Sequence, residues 1–154
     1  MSIFDELLPI GQKFTSPGRT ISEGDFTLLT NLTWTTAEIH SNREYMKKTQ
    51  FGDMILAGPC TVAVMIGMNG RGAFGMLFEE GKVRVVALLG LDEIRFRAPV
   101  LPGDTLTAHA ELLDVRPSQK NPRRGILRVK DSATNQKGEL VVESIRTMMI
   151  EIAD

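Results

Sequence analysis

Residues 58–68 have the sequence GPCTVAVMIGM, and this stretch is the strongest indication of the fold. It begins with Gly58-Pro59, and proline suits the first turn of a helix because its missing N–H would have no helical partner there. A helix on these residues carries apolar side chains on almost every side, so it has to be buried. We therefore predict a central helix against which the other elements pack.

The residues before this stretch predict two further helices. Ser22-Glu23-Gly24-Asp25 has the pattern of a capping box, which opens a helix that ends near Leu32. We expect Phe26, Leu29 and Leu32 to lie on one side of that helix. Residues 42–48 predict a second, short helix. The first part of the chain is therefore mainly helical.

The residues after the central helix predict an antiparallel sheet. Alternation of apolar and polar residues, as in Ile94-Arg95-Phe96-Arg97, is typical of a strand with one buried face. The predicted strands, separated by Pro-, Gly- and Asn-containing turns, are residues 83–89, 91–98, 105–115, 125–131 and 139–152. Helices followed by a strand meander give an α+β order, and the simplest packing wraps the sheet around the central helix.

Length and composition limit the classes of protein that fit. The chain has 154 residues, 42% hydrophobic and 24% charged, which predicts one globular domain over residues 1–154. Its net charge of −1 does not indicate a nucleic acid or membrane partner. The single cysteine, Cys60, excludes an intramolecular disulfide and a multi-cysteine zinc site. We expect a cytoplasmic protein without a metal.

Three segments together resemble the MaoC-like dehydratase family, which includes the R-specific enoyl-CoA hydratases. TTAEIHSNREY at residues 35–45, followed by FGDMILAG at residues 51–58, is similar to the family's catalytic stretch. IRFRAPVLPGDTL at residues 94–106 is similar to the strand and turn after the family's central helix. NQKGELV at residues 135–141 is similar to a hairpin turn common in the family. The resemblance implies a hot-dog fold, an antiparallel sheet around a central helix.

The resemblance also implies a catalytic site, with one departure. In the family motif an Asp lies five residues before a His, and the two hold the reacting water. Here the His is His40 and the Asp position is Thr35, which can only position water because a hydroxyl is a poor base. Glu38 supplies the carboxylate if the segment is reshaped; otherwise it is a solvated acid. We expect His40 to lie in a loop and to act as acid and base.

Substrate-binding groups are predicted at two further places. Gly58 begins the central helix, where free N–H groups favour a developing negative charge on a thioester oxygen. The loop that contains Arg116, Lys120, Arg123 and Arg124 carries cations suited to the phosphates of coenzyme A. The alternative for this loop is a solvated hairpin tip. Both interpretations stay open at the level of the sequence.

The resemblance implies an acyl-CoA hydratase or dehydratase, that is, an enoyl-CoA hydratase or 3-hydroxyacyl-CoA dehydratase. Its partner is an acyl-CoA substrate, and coenzyme A enters as part of that substrate rather than as a separate cofactor. Hot-dog domains pair and complete their active sites across the interface, so we expect at least a homodimer. Two alternatives remain: an acyl-CoA thioesterase, because the same fold and N–H donors serve both reactions, and a non-catalytic acyl-CoA-binding subunit.

Overall fold

The computed structural model describes residues 3–71, 75 and 83–153 of the chain. Within them the helices are Ile3–Leu7 (α1), Glu23–Leu32 (α2), Glu38–Ser41 (α3), Arg43–Met46 (α4) and Gly58–Arg71 (α5). The strands are Lys13–Thr15 (β1), Arg19–Thr20 (β2), Val83–Phe96 (β3), Thr105–Pro117 (β4), Arg124–Thr134 (β5) and Leu140–Ile152 (β6). This is the α+β order that the sequence predicts. Helices α1 and α3 are not among the predicted elements.

The strands form an antiparallel sheet in the order β1-β4-β5-β6-β3, and β2 also pairs with β4. Along β4 and β5, buried and partly exposed residues alternate, as the sequence pattern predicts. The inward side chains of β4 are 0–2% exposed: Leu106, Ala108, Ala110 and Leu112. Helix α5 contacts β4 and β5, so the central helix packs on the buried face of the sheet.

The edge strand β3 differs from the prediction. The sequence predicts two strands, at residues 83–89 and 91–98, whereas Val83–Phe96 is one strand paired with β6. Gly90 does not end it, because register shifts in the β3–β6 ladder absorb the irregular residues and pairing then resumes. Five of its apolar side chains are between 42% and 54% exposed: Val85, Val86, Leu88, Leu89 and Phe96. An apolar edge of this kind favours pairing with another chain.

Helix α5 is only partly covered by the described residues. Val62 and Met65 are 6% and 0% exposed, whereas Ala63 and Gly67 are exposed. Among the described residues α5 is therefore not buried on every side, and the prediction that it is buried all round is wrong for them. A cavity of about 450 Å³ lies along the uncovered side, between α5, α2 and residues 16–19. No helix of the described residues is long and apolar enough to cross a membrane.

Helix α2 begins as predicted. The Asp25 N–H donates to Oγ of Ser22 at 3.1 Å, and Oδ2 of Asp25 accepts from the Ser22 N–H at 2.8 Å, which completes the capping box. Phe26 is buried at 2% exposure, but Leu32 is 71% exposed. Six residues correspond to about 600° of helical rotation, so Leu32 lies about 120° away from Phe26. The expectation that Phe26 and Leu32 lie on one side of the helix is therefore wrong.

A buried ion pair joins α5 to the sheet. Asp131 of β5 and Arg146 of β6 are 0% and 5% exposed, and Nη2 of Arg146 donates to Oδ1 of Asp131 at 3.0 Å. Asn69 of α5 donates to the same oxygen at 2.8 Å and to the His109 carbonyl at 3.0 Å. Buried charges require such partners, so this cluster fixes the last turns of α5 on the sheet.

Candidate active site

The first turn of α5 offers backbone N–H groups. The helical hydrogen bonds start with the Thr61 N–H, which donates to the Ala57 carbonyl at 2.9 Å. The N–H groups of Gly58 and Cys60 precede this bond, and Pro59 has none. The positive end of the helix dipole lies at the same place. This turn therefore favours an oxygen that carries negative charge.

Gly58 lies against the ring of Phe96, the last residue of β3. A Cβ atom at position 58 would lie 2.7 Å from Cζ of Phe96, closer than packed carbon atoms come. The missing side chain therefore permits this close approach. A cavity of about 300 Å³ beside Gly58 is lined mainly by apolar residues, including Phe51, Ile55 and Val100. Its lining suits an apolar group bound next to the helix N-terminus.

His40 lies in the one-turn helix α3 rather than in the predicted loop, because its N–H donates to the Ala37 carbonyl at 2.9 Å. Nδ1 of the half-buried ring is 2.8 Å from the carbonyl oxygen of Ile55, whose N–H in turn donates to Ile39 at 3.1 Å. A carbonyl only accepts, so Nδ1 carries the proton and Nε2 of the neutral ring keeps a lone pair. Ile55 leads directly into α5, so the imidazole is held beside the start of that helix.

Arg43 fixes the segment that carries His40. Its Nε donates to Asp53 at 2.8 Å and its Nη2 to Glu23 at 2.7 Å, which joins α4 to α2 and to the turn before α5. The hydrogen bond from Arg43 lowers the pKa of the Asp53 carboxyl below its usual value. Charged hydrogen bonds from Arg43 therefore connect the His40 segment to Glu23 at the start of α2 and to Asp53 before α5.

Thr35 is connected to α5 through Thr33, a residue that the sequence does not single out. Oγ1 of Thr33 lies 2.8 Å from Oγ1 of Thr35 and 3.5 Å from Sγ of Cys60, and it donates to the Leu29 carbonyl at 2.6 Å. Cys60 is 2% exposed in the first turn of α5. Thr35 is thus linked to the first turn of α5 through Thr33 and Cys60. His40 is linked to Ile55, in the segment that leads into α5.

Glu38 faces solvent in the first turn of α3. Its Oε1 accepts a hydrogen bond from Nδ2 of Asn42 at 3.1 Å. In the described part of the chain, no hydrogen bond links its carboxylate to His40 or to Thr35. The contact with Asn42 agrees with the solvated acid that the sequence left open, and a catalytic role for Glu38 stays a prediction.

The basic loop is tied to its own chain. Three of its cations bind protein groups: Arg116 lies 3.5 Å from Asp114, Arg123 donates to the Ile152 carbonyl at 3.0 Å, and Arg124 donates to Glu151 at 3.0 Å. Lys120 is exposed. Hydrogen bonds from Arg84 and Arg124 lower the pKa of the Glu151 carboxyl below its usual value. The loop is therefore a hairpin tip in which three arginines bind the protein itself and Lys120 is exposed.

This hairpin tip and Gly58 lie at opposite ends of the sheet. Arg124 pairs with Glu151 near the end of β6, whereas Phe96, which covers Gly58, pairs with Val142 near its start. At about 3.3 Å per residue the two places are roughly 30 Å apart. Within one chain the basic loop and the helix N-terminus therefore do not form one compact site.

Two other cations lie at the Gly58 end of the sheet. Arg95 and Arg97 flank Phe96; Arg97 donates to Glu143 at 2.8 Å, and Arg95 donates to the Ile94 carbonyl at 2.9 Å. The hydrogen bond from Arg97 lowers the pKa of the Glu143 carboxyl. The alternation around Phe96 predicts the strand but gives no indication of which end of the sheet the two arginines reach.

Comparison with known proteins finds a matching family. The family model described as MaoC like domain matches residues 6–135. Relatives include the mesaconyl-CoA hydratase of Cereibacter sphaeroides, 33% identical over 81 residues, and the beta-methylmalyl-CoA dehydratase of Chloroflexus aurantiacus, 28% identical over 136 residues. The alignments cover 53% and 88% of this chain but only 23% and 36% of the two relatives. The chain thus spans a minor part of their length.

Solved structures share the fold over almost the whole chain. The monoamine oxidase regulatory protein from Archaeoglobus fulgius has a TM-score of 0.83 and 28% identity, and the match covers 99% of this chain and 97% of that one. RV0216 of Mycobacterium tuberculosis, which has a double hot-dog fold, has a TM-score of 0.81 and 22% identity over 98% of this chain and 44% of its own. The predicted hot-dog fold is confirmed.

Proposed function

Because this chain belongs to the MaoC-like domain family, we propose that it is an acyl-CoA hydratase or dehydratase, which adds water to the acyl group of a CoA thioester or removes it. The contact that carries the proposal is that of Nδ1 of His40 with the Ile55 carbonyl, because it leaves Nε2 as a base beside the start of α5. Relatives named for mesaconyl-CoA and beta-methylmalyl-CoA support a CoA thioester as substrate. No cofactor is proposed beyond the coenzyme A of that substrate.

In the proposed hydration, Nε2 of His40 takes a proton from water while the water oxygen bonds to the β-carbon of an enoyl thioester. The electron pair of the C=C bond moves to the thioester oxygen, and the N–H groups of Gly58 and Cys60 are the donors placed to stabilise that negative charge. The pair then returns to the α-carbon, which takes a proton from the imidazolium. Dehydration is the same sequence reversed.

Thr35 is proposed to position the water, and His40 to be its base. The Thr35 hydroxyl is anchored toward α5 through Thr33, whereas the Glu38 carboxylate is exposed and bound by Asn42. These contacts favour Thr35 over Glu38 as the group beside the water. Because Thr35 does not take the proton, His40 carries the acid and base chemistry alone.

We further propose that the active protein is at least a homodimer. The apolar β3 edge, with Val85 and Leu88 exposed, supports pairing of two β3 strands. Antiparallel pairing places the start of one β3 beside the end of the other, and this brings the basic loop of the second copy toward Phe96. The loop then meets the coenzyme A phosphates across the interface, although it is roughly 30 Å away within one chain. The single cysteine supports a reducing, cytoplasmic location.

Two assays on the same samples test the proposed reaction. Hydration of crotonyl-CoA and mesaconyl-CoA is followed by loss of enoyl absorbance, and thioester cleavage by release of free thiol. We expect loss of absorbance without thiol release, and no loss with His40→Asn. Thiol release as the main signal identifies a thioesterase instead. Binding of the CoA esters with neither signal identifies a non-catalytic acyl-CoA-binding subunit.

A further inference from the structure

The hydroxyl group of Thr33 has three hydrogen-bonding neighbours but only one proton. The Leu29 carbonyl lies at 2.6 Å, Oγ1 of Thr35 at 2.8 Å and Sγ of Cys60 at 3.5 Å. A carbonyl oxygen has no proton to give, so the Thr33 proton must go to Leu29. The two lone pairs of Thr33 are then left for the Thr35 O–H and the Cys60 S–H. The direction of both bonds follows from the carbonyl.

We propose that Thr33 is a positioning residue that turns the Thr35 hydroxyl into a hydrogen-bond acceptor toward the reacting water; this rests on the proposed hydration. When the Thr35 O–H donates to Thr33, Oγ1 of Thr35 keeps two lone pairs and has no further proton to donate. An ionised carboxylate is likewise only an acceptor. Thr35 therefore has the hydrogen-bonding polarity of a carboxylate without its charge or basicity.

This polarity decides how water is oriented. A water beside Thr35 has to donate one hydrogen to Oγ1 of Thr35 and its other hydrogen to Nε2 of His40. Both lone pairs of the water oxygen then remain for the β-carbon, and the hydrogen on Nε2 is the one removed. If the Thr35 proton pointed at the water instead, it would occupy one of these two lone pairs and withdraw electron density from the attacking oxygen.

The backbone between the two threonines supports this assignment. Trp34 has φ of 59°, in the left-handed region that costs energy for a residue with a side chain. The Trp34 side chain is 88% exposed, so its packing within the described residues does little to offset that cost. The Trp34 N–H donates to the Asn31 carbonyl at 3.4 Å and the Thr35 N–H to the Thr30 carbonyl at 3.1 Å, which is the Schellman pattern that ends α2 with a left-handed residue. This helix end thus places the two hydroxyls beside each other.

Thr33→Val removes the hydroxyl while keeping the branched shape, and Thr33→Ser keeps the hydroxyl. Thr36→Val, on the same exposed segment, is the matched control. For hydration of crotonyl-CoA we expect Thr33→Val to lower kcat about tenfold or more with little change in KM, because the water and not the thioester loses its orientation. Thr33→Ser and Thr36→Val should keep kcat near the parent value. The melting temperatures should change little, since Thr33 is exposed.

The sole cysteine gives a second readout that does not depend on activity. The infrared S–H stretching band reports Cys60 alone, and it should move to higher frequency in Thr33→Val but not in Thr33→Ser. A Thr33→Val band at the parent position overturns the assigned polarity. If the parent enzyme hydrates CoA esters and Thr33→Val keeps the parent kcat, the positioning role is overturned. The proposed function is then unaffected. A parent without hydration rejects the proposed function, and with it the positioning role, while the band still decides the polarity.

Discussion

Nδ1 of His40 lies 2.8 Å from the carbonyl oxygen of Ile55, and this contact decides which nitrogen of the ring is free. The carbonyl can only accept, so Nδ1 carries a proton, and in the neutral ring the lone pair is on Nε2. Ile55 lies three residues before Gly58, the first residue of α5. The base and the proposed oxyanion donors are therefore placed by one short stretch of chain.

His40→Asn should separate the chemical role of the ring from its structural one. The Asn amide can still donate to the Ile55 carbonyl, but no base remains at the position of Nε2. We expect kcat/KM for hydration to fall by about 10²- to 10⁴-fold, with a melting temperature near the parent value. His40→Ala, which loses the hydrogen bond as well, should also be less stable by about 1 kcal/mol in urea unfolding. Near-parental kcat/KM in His40→Asn would remove His40 from the mechanism.

Thr35→Asp tests which residue stands beside the water. A carboxylate at this position supplies a second base, so hydration of straight-chain enoyl-CoA should become faster, and each tenfold gain corresponds to about 1.4 kcal/mol of barrier. Glu38→Gln should change kcat/KM little, because Glu38 is exposed and bound to Asn42. Severe impairment of Glu38→Gln, with no gain in Thr35→Asp, would identify Glu38 as the base instead. Two carboxylates near one water would then raise the pKa of one of them.

The cations at the two ends of the sheet can be compared directly. The double variant with Arg123→Gln and Arg124→Gln should have a raised KM for a CoA ester. The KM for the matching pantetheine thioester, which lacks the nucleotide phosphates, should rise less. Arg95→Gln serves as the comparison at the Phe96 end of the sheet. Equal effects on both substrates would make the basic loop a solvated tip. A selective effect of Arg95→Gln alone would place the phosphates at the Phe96 end of the same chain.

Removing one partner of the buried Asp131–Arg146 pair should lower the free energy of unfolding strongly. Replacing both partners with apolar residues should lower it much less. Arg146→Met leaves a carboxylate at 0% exposure without its cation, so we expect a loss of about 3–5 kcal/mol in urea unfolding. Asp131→Leu combined with Arg146→Met should recover most of that loss. Lys47→Gln, which breaks an exposed pair with Glu44, is the control and should cost less than about 1 kcal/mol. A double variant as unstable as Arg146→Met would contradict this account.

Acid stability should depend on Arg43. The pKa of Asp53 is lowered in the folded protein, mainly by the hydrogen bond from Arg43, so the unfolded chain binds the proton more tightly. The stabilisation is therefore present above the ordinary value of 3.8 and is lost as pH falls through the lower, folded value. Arg43→Gln and Asp53→Asn should both flatten this acid-side loss in urea unfolding measured at several pH values. Profiles parallel to the parent would exclude the pair as its source.

Several elements could be predicted because their causes are local. The capping box links Ser22 and Asp25, three residues apart, and the helix start at Gly58-Pro59 depends on the proline ring itself. Alternation along β4 needs only the two-residue period of a strand. The one-turn helix at His40 carries no periodic pattern, so the sequence does not predict it. The sequence predicts a break at Gly90, but pairing with β6 carries β3 across that residue.

Fold class, the central helix and the place of His40 in a stretch that resembles a catalytic one all follow from local sequence. The contact of Thr33 with Cys60, 27 residues away, and the distance of the basic loop from Gly58 are seen only in the folded chain. Helix caps and strand periods arise from neighbours within a few residues, so the sequence records them. Contacts between distant residues depend on how α2 docks on α5 and on the register of the strands, which only the packing of the whole chain sets.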